Sequence, residues 1–88
     1  MSKTIRLSEA RRGDRGVIVQ VGDHSQHQEH EAELERRLLE LGLVEGASVE
    51  LLHEGLFGRD PIAIKVDDMR VALRRHEAVN LTIEIEAA

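Results

Sequence analysis

Apolar positions along the chain alternate with a period of two in five places and take a helical period only once. Val17-Ile18-Val19-Gln20-Val21 is β-branched and alternating, which predicts a strand with Val17, Val19 and Val21 on one face. Leu34, Leu38 and Leu41 then recur at i, i+4 and i+7, the stripe of an amphipathic helix over roughly His30 to Leu41. Glu29, Glu31 and Glu33 precede Arg36 and Arg37 along it, an order that suits the helix dipole. Glu33 and Arg37 form an i, i+4 pair worth ~0.3 kcal/mol on an exposed face.

Period two returns afterwards. Val49 to His53 predicts a strand with Val49 and Leu51 inward, and Pro61 to Val66 another with Ile62, Ile64 and Val66 inward. Pro61 suits the first position of its strand, where no ladder bond is lost. Arg70 to Arg74 follows, with Val71 and Leu73 inward, after a tight turn at Asp67-Asp68-Met69. Arg75 to Val79 reads as one helical turn and Leu81 to Ile85 as the closing strand. Near the N-terminus, Leu7-Ser8-Glu9-Ala10 reads as a short capped turn, with Ser8 the N-cap and Leu7 a buried anchor. The order is strand, helix, then four short strands: one mainly-β domain over residues 1–88. Short strands and tight turns in so small a domain imply a curled or closed sheet, with the helix over one open end.

The stretch from Leu38 to Val49 joins the helix to the next strand. With Gly42 at C′, Leu43 is C″ and Leu38 is C3, the pair that makes the apolar contact of a Schellman cap. Gly46 turns the chain again before Ser48. Both glycines are structural positions, as is Pro61.

Composition narrows the function classes. The chain has no cysteine, so neither a disulfide nor a thiolate zinc site supplements the core. Net charge is −5 and Phe57 is the single aromatic residue, which argues against nucleic acid as a partner. No stretch approaches the ~20 apolar residues of a membrane span. The N-terminal residues lack the apolar run of a signal peptide, so a cytoplasmic location without membrane insertion is expected.

The segment Leu38 to Val49 resembles the helix-to-strand signature of the FeoA family, small proteins that accompany the bacterial ferrous iron permease. Asp60-Pro61-Ile62 and Val71-Ala72-Leu73-Arg74-Arg75-His76-Glu77-Ala78 resemble two further motifs of that family, and Leu7-Ser8 and Gly13-Asp14 match in kind and spacing. The resemblance runs from about Leu7 to Ile85. It implies a small SH3-like β-barrel of about five strands, with one α-helix inserted after the first main strand. It also implies a cytosolic accessory role, docking on the permease's cytosolic GTP-binding domain, with no catalytic residues. Related SH3-like domains occur in metal-dependent repressors, but no helix-turn-helix accompanies this one. Two departures stand out: Asp68 and Met69 where the family usually has Gly and often Tyr, and a longer, histidine-rich loop from Asp23 to His30.

Two groups of residues carry the candidate sites. His24, His27 and His30, beside Asp23, Glu29 and Glu31, offer imidazole and carboxylate ligands suited to Fe(II) or another divalent transition metal. The same residues also read as an ordinary solvated loop. Leu56-Phe57-Gly58, with Arg59 on its rim, lies between two strands where loops are normally polar. Either Leu56 or Phe57 folds back over a barrel end, or the two form an exposed tip that inserts into a partner. Without Tyr or Trp the chain has no aromatic groove for proline-rich ligands. Ser8 and Ser48 read as cap and turn residues, and Asp67 and Asp68 as turn residues, so no enzyme is expected. The leading reading is an adaptor docking through Leu56 and Phe57. The alternative is a metal sensor or carrier using residues 23–31, and weak self-association is a further partner class.

Overall fold

The alternating segments become strands of a single antiparallel sheet. The computed structural model describes residues 2–22 and 28–86. In chain order these form β1 (Ser2–Arg6), a 3-10 turn (Leu7–Glu9), β2 (Arg15–Val21), α1 (Gln28–Glu40), β3 (Ser48–Phe57), β4 (Asp60–Val66), β5 (Met69–Leu73), α2 (Arg75–Ala78) and β6 (Leu81–Glu86). The strand order is β1-β6-β2-β3-β4-β5. Among the described residues there are six strands rather than about five, because β1 pairs with β6 although it has no apolar alternation. Only Ile5 of β1 packs against the core. The ladder does not close into a ring: β1 and β5 are its two edges.

The inward positions of β3, β4, β5 and β6 fall where alternation puts them. Val49, Leu51, Ile62, Ile64, Leu73, Leu81 and Ile83 are all buried. Burying one such side chain contributes about 1.5–3 kcal/mol. β2 departs from the expected face. Ile18 is the fully buried residue, while Val17 and Val19 are each 41% exposed. The register shows why: Ile18 pairs with Ile83 and Val21 with Leu81, with a shift between Ile18 and Gln20. A bulge inserts one residue, so the two core-facing positions of β2 lie three apart instead of two.

The helix docks as its cap requires. Leu38 is completely buried, and Leu34 and Leu41 pack partly against the core. The amide of Leu43 donates to the carbonyl of Leu38 at 2.9 Å, and that of Gly42 to Leu39 at 3.0 Å. These are the two bonds of a Schellman motif, with Gly42 at φ 90°. Leu38 and Leu43 are both 0% exposed, so the apolar contact of the motif lies inside the core. Gly46, at φ 91°, donates its amide to the carbonyl of Ile18 at 2.8 Å and so ties the connection to β2.

The β4–β5 turn forms without glycine. Asp67, not Asp68, takes the left-handed conformation, at φ 51°. Its carboxylate accepts the Ser48 amide at 3.2 Å, and its own amide donates to the Ser48 carbonyl at 2.9 Å. An aspartate that bonds the neighbouring strand tolerates this conformation better than most residues.

Candidate docking hairpin

β3 is longer than its alternation suggests and carries the chain out to Phe57, so Leu56 and Phe57 belong to a strand end rather than a loop. Phe57 pairs with Asp60, leaving Gly58 and Arg59 as a two-residue turn. Both have positive φ, 65° and 60°, as a type I′ hairpin turn requires. A register shift between Glu54 and Phe57 bends the strand below the tip. At Gly55 a Cβ would sit 2.2 Å from the Asp60 carbonyl oxygen, so only glycine lets the two backbones approach this closely. The Asp60–Pro61 peptide opposite is cis, and Pro61 is the second residue of β4 rather than the first.

Leu56 is 95% exposed. The fold-back alternative therefore does not hold for Leu56. The Phe57 side chain lies outside the described residues. Arg59 is exposed at the turn itself.

One arginine holds this hairpin in place. The Arg75 guanidinium donates to the Arg59 carbonyl at 2.8 Å, to the Ser8 carbonyl, and to the Glu54 carboxylate at 2.6 Å. Its backbone amide donates to the Asp60 carboxylate at 2.9 Å. The Arg75 and Glu54 side chains are each 20% exposed, so their pair is screened much less than a surface pair. A left-handed non-glycine residue costs about 1–2 kcal/mol, and the bond to its carbonyl offsets that cost at Arg59.

Several sequence expectations change here. Arg74, Arg75 and Glu77 read from sequence as a solvated or ion-paired edge, and the second alternative holds for two of them: Arg75 and Glu77 are ion-paired, with Glu77 4% exposed, while Arg74 is exposed. Glu77 accepts the Arg74 amide at 3.0 Å and pairs with Arg37 of α1 at 2.5 Å. Arg37 thus reaches across to α2 instead of pairing along its own helix with Glu33. Ser8 is not an N-cap. It lies inside the 3-10 turn, whose N-cap is Arg6, and its carbonyl receives Arg75. The anchoring role of Leu7 holds, since Leu7 is buried.

His24 and His27 lie outside the described residues, and His30 stands in the first turn of α1 with its side chain also outside them. Among the described residues no group of three His, Asp or Glu side chains is placed to hold a metal ion. His53 and His76 are exposed strand and helix positions. No described helix is long and apolar enough to cross a membrane.

Short, bulged antiparallel strands, a tight hairpin and a single helical turn before the last strand define an SH3-like domain. The FeoA of Stenotrophomonas maltophilia, solved complexed with zinc and described as a prokaryotic SH3-domain protein, shares the fold. The two chains are 32% identical, with a TM-score of 0.73, over 90% of this chain and 88% of that one. Residues 5–85 match the FeoA domain family, and the chain belongs to that family. The solution structure of FeoA from Chlorobium tepidum is 34% identical, with a TM-score of 0.74, over 94% of this chain and 71% of that one. The Fe(2+) transport protein A/Fe(2+) transporter FeoB fusion protein of Porphyromonas gingivalis is 33% identical over 81 residues. That match takes in 92% of this chain but 9% of the fusion, so the chain spans under a tenth of that relative's length.

Proposed function

We propose that this protein is a cytoplasmic, non-catalytic accessory factor of ferrous iron uptake. It docks on the cytosolic GTP-binding domain of the ferrous iron permease. The observation that carries this reading is the fusion: the relative from Porphyromonas gingivalis holds a similar domain in one polypeptide with an Fe(2+) transporter. Covalent linkage keeps two modules at an effective concentration of about millimolar. A separate chain with the same partner needs a surface that does this work by affinity. The β3–β4 hairpin is the best candidate, because Leu56 is 95% exposed at its end and Arg59 supplies a charge beside it. Arg75 holds the tip in one conformation, which lowers the ordering cost of docking.

Pull-down by the permease's soluble domain in metal-free buffer tests the reading. Wild type is expected to bind, and folded Phe57→Asp and Leu56→Asp variants to lose binding. Retained binding by both variants counts against the hairpin, and absence of wild-type binding counts against the partner. A metal sensor or carrier is the second reading, favoured by the zinc complex of the Stenotrophomonas maltophilia relative. Its ligands would be His24, His27 and His30, with Fe(II) or another divalent transition metal bound. Calorimetric titration with Fe(II) and Zn(II) separates the two readings: equal heats from wild type and the triple His→Ala variant remove this site.

A further inference from the structure

Among the described residues the ladder ends at β5, whose strand partner is β4 alone. Asp67 and Asp68 join the two, and Val66 pairs with Met69 across them. The closing pair of such a hairpin exchanges both backbone bonds, and the pattern alternates from there. Met69, Val71 and Leu73 therefore direct their backbone groups to β4, while those of Arg70 and Ala72 point outward. Both residues are exposed, and no described group bonds these outward amides and carbonyls. β5 is an open strand edge.

The side chains beside this edge carry a pattern of charge. One outer-face row crosses four strands: Arg15 pairs with Glu50, Glu50 with Lys65, and Lys65 with Arg70. Signs alternate from Arg15 to Lys65, and then two cations stand directly opposed. Their pair is of the non-hydrogen-bonded kind, which brings side chains closest, and like charges placed there destabilise a sheet. Among the described residues neither Lys65 nor Arg70 has an ion-pair partner. On the inner side of the same edge Met69 is 59% exposed and Val71 is half-buried. A strand added to β5 would place one residue opposite Arg70 and its neighbours against Met69 and Val71. A carboxylate at the first position restores the alternation of sign, and apolar side chains at the other two cover exposed apolar surface.

We propose that the β5 edge accepts an extended segment of a partner protein as an added strand, alternating apolar and acidic residues, with a carboxylate opposite Arg70. A second copy of this chain does not fit. Among its described residues the edge strands are β1 and β5, Ser2-Lys3-Thr4-Ile5-Arg6 and Met69-Arg70-Val71-Ala72-Leu73, which carry cations and no carboxylate. The surface lies at the opposite end of β4 from the Gly58–Arg59 turn and does not depend on the hairpin's role.

The blocked peptide acetyl-Val-Glu-Ile-Glu-Val-amide, titrated into the 15N-labelled full chain, tests this. Saturable shifts and slowed amide exchange at Arg70 and Ala72 are expected. A version with Lys for Glu should bind at least about fivefold more weakly. Arg70→Glu should invert that preference. Ala72→Pro removes an outward amide without touching the β4 ladder, a change that edge strands accept, and should abolish binding. If that variant does not fold, inversion by Arg70→Glu decides the matter. The proposal is overturned by unmoved Arg70 and Ala72 amides at millimolar peptide, by equal affinity for both peptides, or by shifts confined to β1 or the hairpin tip.

Discussion

Replacing Arg75 by alanine removes three side-chain bonds, to Arg59, Ser8 and Glu54, while leaving the backbone bond to Asp60 in place. A neutral hydrogen bond contributes a net ~1 kcal/mol, and one made by a charged group about 1.5–3 kcal/mol. The three share one guanidinium and do not add, so the expected loss is about 2–3 kcal/mol rather than their sum. Much of it comes from Glu54, left without its cation at 20% exposure. With a urea slope of about 1 kcal/mol/M for a domain of this size, the unfolding midpoint should fall by about 2–3 M. Arg75→Lys keeps the charge but not the fork of donors, and should recover less than about half of the loss. A double-mutant cycle with Glu54→Gln isolates the pair, with an expected coupling of about 1 kcal/mol or more. Because the Arg59 carbonyl is released in Arg75→Ala, amide exchange at Gly58 and Arg59 should quicken in the folded state. A loss below about 0.5 kcal/mol, with unchanged exchange at the tip, refutes the argument that Arg75 positions this hairpin.

Three further outcomes follow from the same structure. Gly42→Ala meets no steric barrier, with Val66 Cγ1 4.0 Å from the new Cβ, so its cost is the left-handed backbone alone. Urea denaturation should show a loss of about 1–2 kcal/mol. Leu38→Ala opens a cavity beneath the helix cap and should cost about 2–5 kcal/mol by the same measurement. Leu56→Asp should change stability by less than about 0.5 kcal/mol, since the side chain touches little else in the isolated domain. The same change should weaken docking by about ten- to a hundredfold in a binding titration, the equivalent of one buried leucine.

Much of the fold was legible because it follows from local pattern. Leu38, Gly42 and Leu43 specify their cap from sequence, and all the expected bonds form. Ile62, Ile64 and Val66 lie inward as alternation requires. Three features were not legible, each for a physical reason. The β2 bulge shifts the core face from Val17 and Val19 to Ile18, and residue types alone do not mark where an extra residue enters a ladder. β1 has its identity from its partner β6, not from its own pattern. Arg75 and Glu77 read as a solvated or ion-paired edge, but their partners Glu54, Ser8 and Arg37 lie far away in sequence and no local pattern names them. At the candidate site, Leu56 and Phe57 stood out as apolar residues between strands. The two-residue turn and the arginine that fixes it depend on contacts between β3, β4 and α2.

Docking of the β3–β4 hairpin on the permease's cytosolic domain is the proposal on which the functional reading depends. Titrating the 15N-labelled chain with that soluble domain in metal-free buffer tests it most directly. Amide shifts centred on Leu56, Phe57, Gly58 and Arg59, spreading to Arg75, are expected, together with their loss in Leu56→Asp. Shifts confined to other elements, or equal shifts from the variant, would contradict it.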